Sequence, residues 1–236
     1  MSILNLISLL SGLALFLYGI GLMGEGLNLV AGNKQKVVET ETLVDSYEDA
    51  LGSYLLRISP TELNEHQNED LHQFLHTITD LERISDHANN IGESAREMFE
   101  KKIDFSRAAE HELDVLIRAV SDLLEMTVTA FVEHDVNLAM KVAPLEELID
   151  GLCDELRSHH IDRLQKGIDT LHQGYVFNDL LTNLERVGDH CSNIAVALIE
   201  LAHDVFDTHE YLDSLKEIKD AAFAACYEEY RAKYLL

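Results

Sequence analysis

Four Glu-x-x-x-Asp pairs are the residues of this chain best suited to chemistry: Glu41/Asp45, Glu82/Asp86, Glu146/Asp150 and Glu185/Asp189. On a helix, a spacing of four puts both carboxylates on one face, with their Cβ atoms about 6 Å apart. Like charges that close repel mildly unless a cation lies between them. Asn90 and Asn193 extend two of these stripes by one more turn and add a neutral oxygen. Carboxylate and amide oxygens suit hard or borderline divalent ions such as Mg²⁺, Mn²⁺, Fe²⁺ or Ca²⁺. His87 and His190 adjoin the aspartates and offer nitrogen, although adjacent helical positions point about 100° apart.

Acidity alone does not make these pairs informative. With 43 acidic residues in 236, about eight acid-x-x-x-acid pairs arise by chance. The informative feature is that they repeat in register. Leu81-Glu82-Arg83-Ile84-Ser85-Asp86-His87-Ala88-Asn89-Asn90-Ile91 returns as Leu184-Glu185-Arg186-Val187-Gly188-Asp189-His190-Cys191-Ser192-Asn193-Ile194, with seven of eleven positions identical. Glu41, Leu43, Asp45, Asp49 and Leu51 return as Glu146, Leu148, Asp150, Asp154 and Leu156. The first correspondence has an offset of 103 and the second of 105, so a small indel separates them. One helical unit is used twice. The residues leave two readings open: a metal site, or a solvated acidic face neutralised by Arg83 and Arg186.

Other candidate ligands lack this repetition. Glu69-x-x-His72 and Glu200-x-x-His203 have the spacing of ferritin-like di-iron bundles, but neither maps onto the other under the offset. His72 and His76 have helical ligand spacing, yet their second-half counterparts are Tyr175 and Asp179. No nucleophile elbow, phosphate-cradling glycine loop or HExxH sequence is present, and Cys191 replaces Ala88 as a small packing residue. The expectation is a protein that is not an enzyme.

These residues require helices to position them. Apolar residues make up 47% of the chain, with only two prolines and no tryptophan. Helices are expected at 33–57, 61–101, 106–134, 136–166 and 170–205, with a short one over 210–233. Ser59-Pro60-Thr61-Glu62 reads as a helix start, and Gly167 followed by Thr170 and Gln173 reads as a stop and a new cap. Pro144 is expected to kink the fourth helix or mark its early end. The formal net charge of −25 opposes nucleic acid as a partner and favours cations or basic protein surfaces. Three widely spaced cysteines, Cys153, Cys191 and Cys226, point to a reducing compartment rather than a disulfide framework.

Ser2 to Gly24 carries no charged side chain and is long enough to cross a bilayer. No basic residue precedes it, as a signal peptide would require, whereas Lys34 and Lys36 follow it. The positive-inside rule then places the rest of the chain in the cytoplasm. The expected fold class is all-α, with one N-terminal membrane helix ahead of the two repeated units.

The doubled LERISDHANNI and LERVGDHCSNI motifs, with their paired acidic stripes, resemble the PhoU family over about residues 36–205. The resemblance implies an antiparallel helical bundle of two three-helix repeats whose acidic motifs bind metal. It points to Glu41, Asp45, Glu82, Asp86, Glu146, Asp150, Glu185 and Asp189 as ligands for a divalent ion, whether Fe, Mn, Mg or Zn. It divides the chain into a membrane helix (1–32), a first repeat lacking its first helix (33–105), a second repeat (106–205) and a helical tail (206–236).

The leading LISLLSGLALFLYGIGLMGEGLNLVAG and the tail Phe206-Asp207-Thr208-His209-Glu210-Tyr211-Leu212 resemble bacterial sodium/phosphate cotransporters, which carry a PhoU-like domain at their cytoplasmic C-terminus. Two features depart from that pattern. The remaining membrane helices are absent, as is a counterpart of 106–134 ahead of Asn33, so the chain resembles a cotransporter without its middle. The groove left in the first repeat is expected to take the N-terminal segment or a helix of a second copy. The functional expectation is a regulatory domain of sodium-dependent phosphate transport, anchored to the inner membrane and facing the cytoplasm. Its expected partner is a phosphate transporter or a phosphate-sensing protein. The alternatives are a subunit or remnant that itself takes part in symport, and a ferritin-like di-iron protein.

Overall fold

The computed structural model describes residues 30–57, 64–203 and 209–236, and every helix or strand among them is an α-helix. The described chain forms two compact units, divided between Lys101 and Lys102. The first contains α1 (Val30–Leu56) packed on α2 (Glu65–Lys101). The second contains α3 (Arg107–Glu133), the single-turn α4 (Val136–Ala139), α5 (Val142–Gln165), α6 (Leu171–His203) and α7 (His209–Lys233).

Local chemistry sets most of the helix ends. Asn64 and Gln67 form a reciprocal cap at the start of α2, the Gln67 amide donating to Asn64 Oδ1 at 2.9 Å and the Asn64 amide donating to Gln67 Oε1 at 3.1 Å. Ser106 caps α3 by accepting from the Ala109 amide, and His134 ends that helix in the left-handed conformation (φ 54°). Gly167 (φ 68°) closes the turn after α5, where a side chain would be strained. Thr170 and Gln173 then cap α6 with the expected reciprocal pair. The start expected at Ser59 to Glu62 lies outside the described residues, as does all of the membrane segment expected over 1–32 except Val30 to Gly32, which begin α1.

Pro144 acts differently from expectation. The helix expected over 136–166 is two helices, α4 and α5, with a break at Met140-Lys141. Pro144 lies in the first turn of α5, where its missing N–H costs nothing, and its ring clashes with a helical carbonyl four residues back, at Met140. It starts a helix rather than kinking one.

In the second unit, α3, α5 and α6 pack around one core. The buried face of α3 includes Ala109, Leu113, Leu116, Val120, Leu123, Thr127 and Ala130, spaced three or four apart. Leu145, Ile149 and Leu156 on α5 and Phe177, Leu181 and Ile194 on α6 face the same interior, all fully buried. Each contributes about 1.5–3 kcal/mol by leaving water. α7 packs on α5, and at its C-terminal end Lys233 and the following Tyr234 both donate to Asp122 of α3. In the first unit, Leu55, Leu81, Ile84, Ala88 and Ile91 are buried, while Tyr54, Phe74 and Phe99 are exposed. No described helix of that unit stands where α3 stands in the second. Among the described residues, no helix is long and apolar enough to cross a membrane.

Candidate metal centre

Each unit brings together three carboxylates from two helices. Glu41 and Asp45 of α1 meet Asp86 of α2, and Glu146 and Asp150 of α5 meet Asp189 of α6. In each trio, one oxygen per residue lies within 4.8 Å of the others. Oxygens bound to one ion at about 2.0–2.6 Å can be no more than about 5 Å apart, so each trio is the size of a coordination shell. The two trios occupy equivalent repeat positions. α1 and α5 supply the i, i+4 pair, and α2 and α6 supply the aspartate opposite.

The remaining expected ligands lie beside these trios rather than in them. Glu82 is one turn from Asp86, with the Arg83 guanidinium 3.5 Å away. Glu185 accepts a close hydrogen bond from Arg157 Nη2 of α5, while Arg157 Nη1 contacts Asp154 at 3.1 Å. Arg186 and Asp189 pair at 2.9 Å, and the equivalent Arg83 and Asp86 lie 3.9 Å apart. His87 and His190 belong to neither trio, and His72 and His76 are exposed. The side chains of Glu69 and His203 lie outside the described residues.

The electrostatics of the trios are unfavourable without a counter-ion. Burial, reinforced by Asp150 and Asp189, pushes the Glu146 carboxyl up to about 7. Burial and then the charges of Asp189 and Glu185 push Asp150 up to about 6. In the first unit, burial and then Asp45 and Asp86 raise Glu41, and burial with Asp86 raises Glu82. Asp45 Oδ1 and Asp150 Oδ1 are buried and have no hydrogen-bond partner. They are equivalent oxygens of the two repeats, and a buried carboxylate oxygen without a donor is costly. A divalent cation would satisfy both. The donor set fits a hard or borderline ion, with Glu41, Asp45 and Asp86 holding it in one unit and Glu146, Asp150 and Asp189 in the other.

Cys153 and Cys191 are buried, and burial pushes the Cys153 thiol up to about 12. Arg157 is the site residue that motif reading missed. Its signal was present as a break in the repeat, because the counterpart of Arg157 is Gly52.

Known proteins resemble this chain in sequence and in fold. A family model described as the PhoU domain matches residues 29–95 and 113–198. The Thermotoga maritima phosphate-specific transport system accessory protein PhoU homolog 1 is 28% identical over 171 residues, covering 70% of this chain and 71% of that protein. The Borreliella burgdorferi phosphate-specific transport system accessory protein PhoU homolog is 29% identical over 179 residues, covering 70% and 75%. The crystal structure of PhoU from Pseudomonas aeruginosa shares the fold, with a TM-score of 0.74 at 21% identity over 85% of this chain and 96% of that one. With two helical repeats, both matched by the family model, the chain belongs to the PhoU domain family.

Proposed function

We propose that this chain is a regulatory accessory protein of phosphate transport that binds divalent metal at the two carboxylate trios. The observation that carries the metal reading is the repeated orphaned oxygen, Asp45 Oδ1 in one trio and Asp150 Oδ1 in the other. The phosphate reading comes from membership of the PhoU domain family and from relatives named as accessory proteins of phosphate-specific transport. Metal would lock α1 to α2 and α5 to α6, presenting rigid helical surfaces to a transporter or a phosphate sensor. The protein's role is then to bind and regulate rather than to catalyse. Ser2 to Gly24 would hold it at the inner membrane with the units on the cytoplasmic side, a reading that rests on sequence alone. Protease added to intact cells should then spare the units, and external cleavage within 33–236 would refute the orientation.

Metal-dependent melting tests the centre. A ligand bound only to the folded state at 100 times its Kd stabilises by about 2.7 kcal/mol, or roughly 5–10 °C in a chain of this size. Mn²⁺, Fe²⁺, Mg²⁺ or Zn²⁺ should produce such a rise in the parent. Asp86→Asn with Asp189→Asn should remove most of it. Equal melting of parent and variant, with and without metal, would reduce the trios to acidic faces.

A further inference from the structure

We propose that the two metal sites are unequal, because the Arg157 guanidinium binds Glu185 beside the second trio as a built-in cation, while among the described residues no cation from α1 meets its counterpart Glu82 beside the first. This rests on the metal reading above and concerns how the two repeats divide the load.

The two repeats carry the same four acids and differ in the cations that meet them. In the second unit, Glu146, Asp150, Glu185 and Asp189 face Arg157, bound to Glu185, and Arg186, bound to Asp189. Fully ionised, as a bound metal would require, these four acids exceed the two guanidiniums by two negative charges, and Asp154 is a further acid on Arg157. In the first unit, Arg83 is the cation that Glu41, Asp45, Glu82 and Asp86 meet among the described residues, and Gly52 replaces Arg157 on the facing helix. Three negative charges remain. Arg157 is not a surface ornament: its side chain is 28% exposed, as is that of Glu185, and one guanidinium spans α5 to α6. It thereby withdraws Glu185 from the coordination shell, leaving the second site its trio.

In the first unit, no cation from α1 holds Glu82 among the described residues, and its carboxylate lies beside Asp86. It remains available as a fourth ligand. The first site therefore takes divalent metal more tightly and the second more weakly. The lost ligand and added charge weaken the second by about tenfold in Kd. Gly52 also permits the converse experiment, because a Cβ built there meets nothing within 4 Å.

The test is Mn²⁺ binding to the full chain by equilibrium dialysis, with helicity followed by circular dichroism. In the parent, two affinities are expected. Asp86→Asn should remove the tight class, and Asp189→Asn the weak one. Arg157→Ala in the Asp86→Asn background should tighten the remaining site about tenfold, whereas Arg157→Lys, which keeps the charge, should tighten it much less. Gly52→Arg in the Asp189→Asn background should weaken the first site. Equal affinities in the parent, or no change on Arg157→Ala and Gly52→Arg, would overturn the inequality and leave the metal reading standing. Absence of Mn²⁺ binding from the folded parent would overturn both.

Discussion

Gly174 lies directly against the imidazole of His160: a Cβ at position 174 would come 2.5 Å from His160 Nε2. The ring cannot easily yield. Its Nδ1 is 3.0 Å from Asp169 Oδ2, and its face stacks on Phe177 with centroids 5.1 Å apart. Gly174→Ala should therefore destabilise the second unit by about 1–3 kcal/mol through overpacking. Helix propensity alone predicts the opposite sign, a gain of about 0.8–1 kcal/mol. Urea unfolding of the variant decides between them.

Arg163 joins three segments of the same unit from a nearly buried position. Its Nη1 donates to Glu112 Oε2 of α3 at 2.7 Å, and its Nε donates to Asp169 Oδ2 of the turn before α6 at 2.8 Å. Arg163→Ala would leave both acids buried without their cation, with only His159 and His160 beside them. The expected loss is about 3–5 kcal/mol. Arg163→Lys should recover only part of it, because one ammonium cannot reproduce the planar fork. A variant within 1 kcal/mol of the parent, by about the resolution of denaturant extrapolation, would mean that water satisfies the two acids.

These two contacts also show what sequence could and could not reveal. Gly167 and the Thr170/Gln173 cap were legible because each acts within a few residues of itself. The trios were legible because their i, i+4 pairs are local and occur twice. Arg163 with Glu112 and Arg157 with Glu185 are separated by 51 and 28 residues, and neither pair has a local pattern. Glu82 and Glu185 have the same motif as the trio residues. Which of these carboxylates converge depends on how the two helices pack, and the motif alone does not carry that. Pro144 was legible as a breaker, but its sequence did not reveal which side of it the helix would lie on.

Asp150→Asn tests the second trio from inside. The substitution preserves shape, removes one charge from a cluster whose ionised form is disfavoured, and gives the orphaned oxygen's position an amide. Metal-free stability should rise slightly, by roughly 0.2–1 kcal/mol, the scale of like-charge pairs near a surface. The part of the Mn²⁺ response that belongs to the second unit should disappear. Loss of metal-free stability would instead show that the Asp150 charge has a partner that the trio does not supply.

The pH dependence carries the same argument further. Glu146 and Asp150 have folded-state values of about 7 and about 6, both above the ordinary carboxylate range. Between about pH 4 and 7 the folded protein therefore holds protons that the unfolded chain has released. Stability without metal should be greatest at the acidic end of that window and fall as pH rises through 6 and 7. This is the reverse of a salt-bridged carboxylate. Metal competes with those protons for the same oxygens, so its stabilising effect should grow over the same interval. With saturating Mn²⁺ the fall should flatten or reverse, and melting curves across pH 5 to 8 with and without the ion should diverge upward. Parallel curves would mean that the protons and the metal do not share these oxygens, and the centre would have to lie elsewhere.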